Sequence, residues 1–353
     1  MSFKKGTIFF WLGFAVALSA LALILTVRFQ LLQNIGLIFR QIQLPQVIRT
    51  EIGTESQLST MDLTQENFAY DEKNSERLYQ GCLTGNDCIP SIDHPKFISA
   101  RNAAFLKDDD QVLGVVRGNE VKAYPVKILN WHEIVNDMID GQPVVVSYCP
   151  LTSTARAFGR NVEGETIEFG VSGMLLNSNL VMYDRKSNTL WNQFDGESLV
   201  GSLRETKLDP FQVDVISWKD WGKKYPRTMV LSTDTGFDRD YDLYPYGDYL
   251  TISDVYFPLE HEDDSFPAKE TVYGIVIGDR EKAYPEQELK KILPDGGEFD
   301  DEFAGLKLKV SYDQNWFRVA NAQNNQEILD NVSFFFSWMS FYPQSEIFRA
   351  PSP

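Results

Sequence analysis

The sequence predicts a sheet-dominated α+β fold: two related β-hairpin-containing halves in one extracytoplasmic domain, preceded by one transmembrane helix. Three observations predict it. A long apolar run near the N-terminus carries no charge, two distant segments repeat without a gap, and the stretch between them alternates strand patterns with a short helical one.

The apolar run covers residues 7–27. At about 1.5 Å per residue such a run reaches roughly 30 Å, the thickness of a bilayer core. Lys4 and Lys5 lie on its short side, which puts the N-terminus in the cytoplasm and the rest of the chain outside. A cleaved signal peptide is the rival reading, because Ala17 and Ala20 offer small residues. The run continues well past Ala20, beyond the usual signal core, so residues 1–27 are read as a cytoplasmic stub and an uncleaved anchor. Residues 28–60 mix Phe29, Leu32, Ile35 and Phe39 with Arg28, Arg40 and Arg49. They fit either an amphipathic helix on the membrane surface or a linking stalk packed on the domain. Residues 61–353 are the globular part.

The formal net charge is −17, and the part beyond Lys4 and Lys5 is more acidic still. No basic stripe exists to neutralise phosphates, so nucleic acid is excluded as a partner, and the charge reads as a solvated surface. The expected partner is the membrane; composition names no small molecule, glycan or protein. Cysteine usage fits an oxidising compartment. Cys82 and Cys88 sit six apart around Gly85-Asn86, a favoured turn pair, and are expected to be joined, leaving Cys149 as the odd thiol.

The repeat organises the domain. Residues 112–125 match residues 272–285 position for position, and both close on Lys-Ala-Tyr-Pro. Each copy reads as a hairpin turning at Gly118-Asn119 or Gly278-Asp279. A helical stretch follows each, residues 126–137 and 286–292. Then comes an apolar strand, residues 143–148 and 306–312, so the repeat runs over 112–148 and 272–312. The section from about 150 to 270 is expected to hold strands at 166–171 and 180–183 and a helix at 218–224.

The two copies differ where chemistry could sit. The first carries Trp131-His132-Glu133 and ends its strand on Tyr148-Cys149-Pro150-Leu151; the second has Lys290, Lys291 and Asp313 instead. A thiol beside an imidazole is a nucleophile or a soft-metal site, so Cys149 and His132 are the candidate pair; a buried Cys and a capping His are the plain alternative. Three cysteines cannot make a four-thiolate zinc site. Asp238-x-Asp240-x-Asp242 opens like a calcium loop, but Leu243 stands where glycine is needed and Tyr249 where glutamate is needed. Phosphate-binding glycine loops and a serine elbow are missing.

At these residues the chain resembles a bacterial and archaeal family called domain of unknown function 3179. The resemblance rests on residues 89–97, 123–125, 131–137, 148–151, 169–173, 177–185 and 245–249. It implies an exported or membrane-anchored protein and supplies no reaction. The family pattern Cys-Pro-Leu-Cys is Cys149-Pro150-Leu151-Thr152 here, so a dithiol is replaced by a single thiol.

Two functions are therefore expected. The first is a metal- or thiol-based redox site at Cys149 and His132, with Glu133 orienting the imidazole and Met174 or Met182 adding a thioether to a copper or other soft transition-metal site. The second is a non-catalytic binding module for a glycan, peptide or envelope partner. Phe169, Tyr183, Trp191, Phe194, Trp218 and Trp221 would line its groove, unless they are simply core.

Overall fold

The computed structural model describes residues 77–351 except 83, 314 and 315. The expected anchor and juxtamembrane segment lie outside the described residues. Among the described residues no helix is long and apolar enough to cross a membrane.

The fold is α+β and dominated by sheet. Its first half runs β1 (Gln111–Arg117), β2 (Glu120–Pro125), α1 (Val126–His132), β3 (Ile134–Ile139), β4 (Gln142–Cys149) and β5 (Thr154–Gly159). An inserted hairpin follows, β6 (Phe169–Leu176) and β7 (Asn179–Asp184). The half then closes with β8 (Asp214–Ser217), α2 (Trp218–Lys224) and β9 (Met229–Leu231). The second half runs β10 (Thr271–Ile277), β11 (Arg280–Pro285), α3 (Glu286–Ile292), β12 (Gly297–Phe303), β13 (Leu306–Tyr312) and β14 (Phe317–Asn321). It closes with β15 (Asp330–Phe334), α4 (Phe335–Phe341) and β16 (Glu346–Ile347).

The two halves share one topology. In the first, sheet order is β8-β1-β2-β9; in the second it is β15-β10-β11-β16, with the last pairing parallel in both. Beside each lies a meander, β3-β4-β5 or β12-β13-β14. The repeat is therefore longer than the Lys-Ala-Tyr-Pro hairpin suggests. It takes in α2 and α4, each carrying a Trp-x-x-x-Tyr-Pro, at Trp221 and Trp338. Each indole lies flat against a glycine of the sheet. A Cβ on Gly114 would sit 2.2 Å from the Trp221 ring, and one on Gly274 2.0 Å from the Trp338 ring. Only glycine allows that approach. Each indole N–H is satisfied the same way, by Thr228 Oγ1 at 3.0 Å and Ser345 Oγ at 2.8 Å.

The repeated Lys and Tyr also acquire a structural reason. Lys122 and Tyr124 leave β2 together and both bind Asp137 on β3, at 2.9 and 2.6 Å. Lys282 and Tyr284 on β11 bind Asp301 on β12 at 2.8 and 2.7 Å. Each clamp fastens the hairpin sheet to its meander. Burial and the neighbouring carboxylate push the Tyr124 phenol well above its ordinary range, so it stays a donor.

Three sequence expectations are corrected. The first helical stretch stops at His132, and residues 134–139 are strand, because Glu133 adopts a positive φ of 57° that ends the helix. Residues 169–176 form the strand expected at 166–171, displaced toward the C-terminus. Of the six aromatics considered for a groove, Phe169, Tyr183, Trp191, Phe194 and Trp221 are buried, and Trp218 packs half-buried beside the cluster around Trp221. They are core.

Removing Asp137 or Asp301 strands a buried phenol and takes one acceptor from the lysine beside it, which keeps Met138 O in the first half and Glu346 in the second. Asp301→Ala is expected to lower unfolding free energy by about 1–3 kcal/mol, and Asp137→Ala by a similar amount, read from urea denaturation. Loss in one half but not the other would show that the clamps are not equivalent.

Candidate functional site

The site lies where α1 ends and β4 ends. Antiparallel pairing of β3 with β4 sets Ile134 opposite Ser147, and Tyr148 N–H donates to Glu133 O at 2.8 Å. Glu133 and Cys149 are thereby brought to the same end of the meander. Glu133 caps α1 through its own N–H to Leu129 O, in a backbone conformation that costs a non-glycine residue about 1–2 kcal/mol.

A single connection covers this end. Residues 232–270 join the halves without helix or strand. From them four contacts reach the two motifs. Trp131 Nε1 donates to Leu243 O at 3.0 Å, and Tyr241 meets His132 Nε2 at 2.7 Å. Tyr246 donates to Glu133 Oε1 at 2.8 Å, and Tyr249 to Leu151 O at 2.8 Å. This tyrosine strap is pinned at its far end by the β6–β7 turn. There Asn177 and Ser178 both take positive φ, Ser178 Oγ donates to Phe257 O, and Asn177 binds both the backbone N–H and the carboxylate of Glu260. Arg77 pairs with the same carboxylate.

His132 and Cys149 have separate hydrogen-bond partners. The imidazole Nδ1 contacts Pro90 O at 2.8 Å. A carbonyl only accepts, so Nδ1 carries the proton and Nε2 accepts from the Tyr241 hydroxyl. Both nitrogens are thus committed. Burial lowers the His132 pKa to about 4, so the ring is neutral. The physical reason is the break at Glu133. The helix holds His132 toward Tyr241, while the carboxyl of the next residue binds Tyr246 further along the strap. Glu133 makes no hydrogen bond with the imidazole, and it is one of the groups that raise the Cys149 thiol.

Cys149 is free and buried. It packs with Leu151, Leu175, Leu180, Met182, Tyr246 and Tyr249 among others, and its Sγ lies 3.9 Å from Ser178 O. Burial first, and Glu133 second, push its thiol up to about 11. Burial likewise raises Glu133 to about 7, against the Tyr246 hydrogen bond that lowers it. Near the thiol, the Tyr244 hydroxyl is buried with no hydrogen-bond partner, facing Tyr148, Cys149 and Tyr256.

Met174 does not join them. It faces the other side of the β6–β7 hairpin, with Leu176, Val181 and Tyr183, whereas Met182 shares the Cys149 cluster. Among the described residues no group of three or more His, Cys, Asp or Glu side chains comes together to hold a metal. Thr152 is part of a closed polar chain: Thr154 donates to Thr152, Thr152 to Asn179, Asn179 to Gln193, and Gln193 to Ser147.

Residues 86–328 match the family described as Protein of unknown function (DUF3179). The chain belongs to this family. No curated protein and no solved structure matches it.

Sequence reasoning missed the strap. Its tyrosines follow no period, and the signal within reach was the density of Tyr241, Tyr244, Tyr246, Tyr249 and Tyr256 in a segment otherwise rich in turn residues. The disulfide is as expected: Cys82 and Cys88 are joined, with Cα atoms 6.5 Å apart. Alkylation of the unfolded chain without reductant should label one cysteine per molecule, Cys149, by peptide mass spectrometry; label on Cys82 or Cys88 would contradict the bond.

Glu133 and His132 oppose each other in acid. The folded Glu133 pKa lies above its ordinary 4.5, so the folded state holds the proton more tightly and stability falls as pH rises from 4.5 to about 7. His132 is depressed from 6.5 to about 4, so its contribution falls as pH drops through that window. Glu133→Gln leaves the histidine effect alone. Relative to this variant, wild-type stability is expected to fall by about 3 kcal/mol between pH 4.5 and 7. Parallel stability–pH curves for the two proteins would refute the assignment of Glu133.

Proposed function

We propose that the chain is a membrane-anchored extracytoplasmic protein that works through one thiol, Cys149, with Glu133 as its proton acceptor and the tyrosine strap as its cover. The anchor is the apolar run at residues 7–27, and the disulfide between Cys82 and Cys88 is consistent with an oxidising compartment. The observation that carries the reading is the unpartnered Tyr244 hydroxyl beside the thiol. Buried hydroxyls are almost always satisfied, and one left open near Cys149 favours room for a polar group from outside.

The chemistry follows from the protonation states. At rest the thiol and, below about pH 7, the carboxyl are both neutral, and the thiol is unreactive. When a disulfide-bearing substrate enters, ionised Glu133 takes the thiol proton. The sulfur attacks the nearer substrate sulfur, the Cys149–substrate bond forms, and the substrate's own S–S bond breaks. The departing thiolate takes the proton back from Glu133. With the other two cysteines bonded to each other, no resolving thiol follows, so the mixed disulfide persists until an external thiol removes it.

Glutathione disulfide is a suitable probe. The full-length chain in detergent is expected to gain one glutathione on Cys149, reversed by reductant, with a rate that climbs as pH passes about 7. Glu133→Gln should slow it on the order of 100-fold. A folded protein that stays unmodified while the unfolded chain reacts would make Cys149 a core residue and end this reading.

A further inference from the structure

The strap folds back onto its own root. Residues 268–270 lead into β10 and are fixed by the start of α4. Phe335 N–H donates to Glu270 O at 2.8 Å, and Phe336 N–H to Ala268 O at 2.9 Å. The first half builds the same contact with α2. There Trp218 N–H donates to Asp110 O at 2.7 Å, and Lys219 N–H to Asp108 O at 3.1 Å. Asp109 and Lys269 are therefore equivalent positions of the repeat. Asp109 is exposed, whereas Lys269 is half-buried and reaches the strap.

The Lys269 ammonium donates to two strap carbonyls, Tyr249 O and Ile252 O, the second at 2.8 Å. The same nitrogen lies 3.5 Å from the centroid of the Tyr249 ring, within cation–π range. Those carbonyls end a single turn, in which Tyr249 N–H donates to Tyr246 O and Ile252 N–H to Asp248 O. Carbonyls at the end of a helical turn lack partners within it, and a lysine ammonium is a strong donor to them. This turn is the part of the strap that meets the thiol. Tyr246 and Tyr249 both pack in the Cys149 cluster, and Tyr249 donates to Leu151 O, two residues past the thiol.

Other ties of the strap lie to either side of the turn. Before it, Lys127 pairs with Asp242 at 2.7 Å and Tyr241 meets His132. After it, Ser178 holds Phe257 O and Asn177 holds Glu260. Lys269 holds the backbone of the middle, between two fixed ends. We propose that Lys269 is the latch of the strap. While its ammonium keeps the carbonyls of Tyr249 and Ile252, the turn stays closed over Cys149. When it lets go, the turn lifts off the thiol with both ends of the strap still attached. This rests on the reading above only in taking the strap as the cover of Cys149, and not on any exchange chemistry.

Alkylation of Cys149 by N-ethylmaleimide, followed by mass spectrometry on the folded full-length chain in detergent, reads exposure of the thiol directly. Lys269→Met loses two charge-assisted hydrogen bonds and is expected to raise the rate about tenfold or more. Hydrogen exchange in residues 246–252 should quicken with it. Lys269→Arg keeps a cation and its donors and should react nearly as wild type does. Asp301→Ala, which weakens the second half through its clamp, should leave the rate nearly unchanged. If Lys269→Met does not fold, Lys269→Gln is read in its place. A wild-type rate in the Lys269 variant, a rise without faster exchange in residues 246–252, or an equal rise in Asp301→Ala would overturn the latch. If glutathione disulfide leaves Cys149 unmodified while alkylation still responds to Lys269, the exchange chemistry fails and the latch stands.

Discussion

The arrangement depends on one carboxylate in each half. Asp137 takes the Lys122 ammonium and the Tyr124 hydroxyl, and Asp301 takes Lys282 and Tyr284. A single carboxylate that satisfies two neighbouring side chains of one strand ties that strand to the meander. In the first half the clamp holds β3, and the pairing of β3 with β4 brings the Glu133 backbone to Tyr148, one residue before Cys149.

The proposed thiol site lies where the repeat is broken. Both halves carry a glycine under an indole, a Lys–Tyr–Asp clamp and a short helix after the hairpin. The second half ends its helix at Ile292 and its strand at Tyr312. The first half adds the β6–β7 insertion and receives the strap, and between them these enclose Cys149. Arg318 pairs with Asp214 and lies near Asp330 in holding the halves together.

Much of the scaffold could be read directly. Alternating β-branched residues around Gly118 and Gly278 gave both hairpins, and the helices at 218–224 and 286–292 fall where periodicity puts them. The closing unit of the repeat escaped notice because its strands share almost no residues. Only Trp221-x-x-x-Tyr225-Pro226 and Trp338-x-x-x-Tyr342-Pro343 survive, and each Trp role depends on a glycine distant in the chain, Gly114 for Trp221 and Gly274 for Trp338. The candidate site was half legible. Residue type pointed to Cys149 and to the Trp131-His132-Glu133 stretch, but which of two adjacent side chains meets the thiol depends on one backbone angle at Glu133. No periodicity encodes that angle, and glutamate is not a residue that announces a positive φ.

The strap explains why that angle is tolerated. It crosses four groups that would each be costly to bury charged or unpaired, and it meets every one in a neutral or satisfied form: an indole N–H, a neutral imidazole, a carboxyl, a peptide carbonyl. Closure therefore favours protonated Glu133 and deprotonated His132 at once. Ionising Glu133 above about pH 7 puts a charge under the strap with one tyrosine hydroxyl to hold it, and it leaves the thiol beside a base. In the proposed thiol chemistry, the condition that activates Cys149 is also the condition that loosens its cover. A thiol buried for packing alone would need neither the carboxyl nor the open Tyr244 hydroxyl, and aliphatic residues at both positions would close the site more stably.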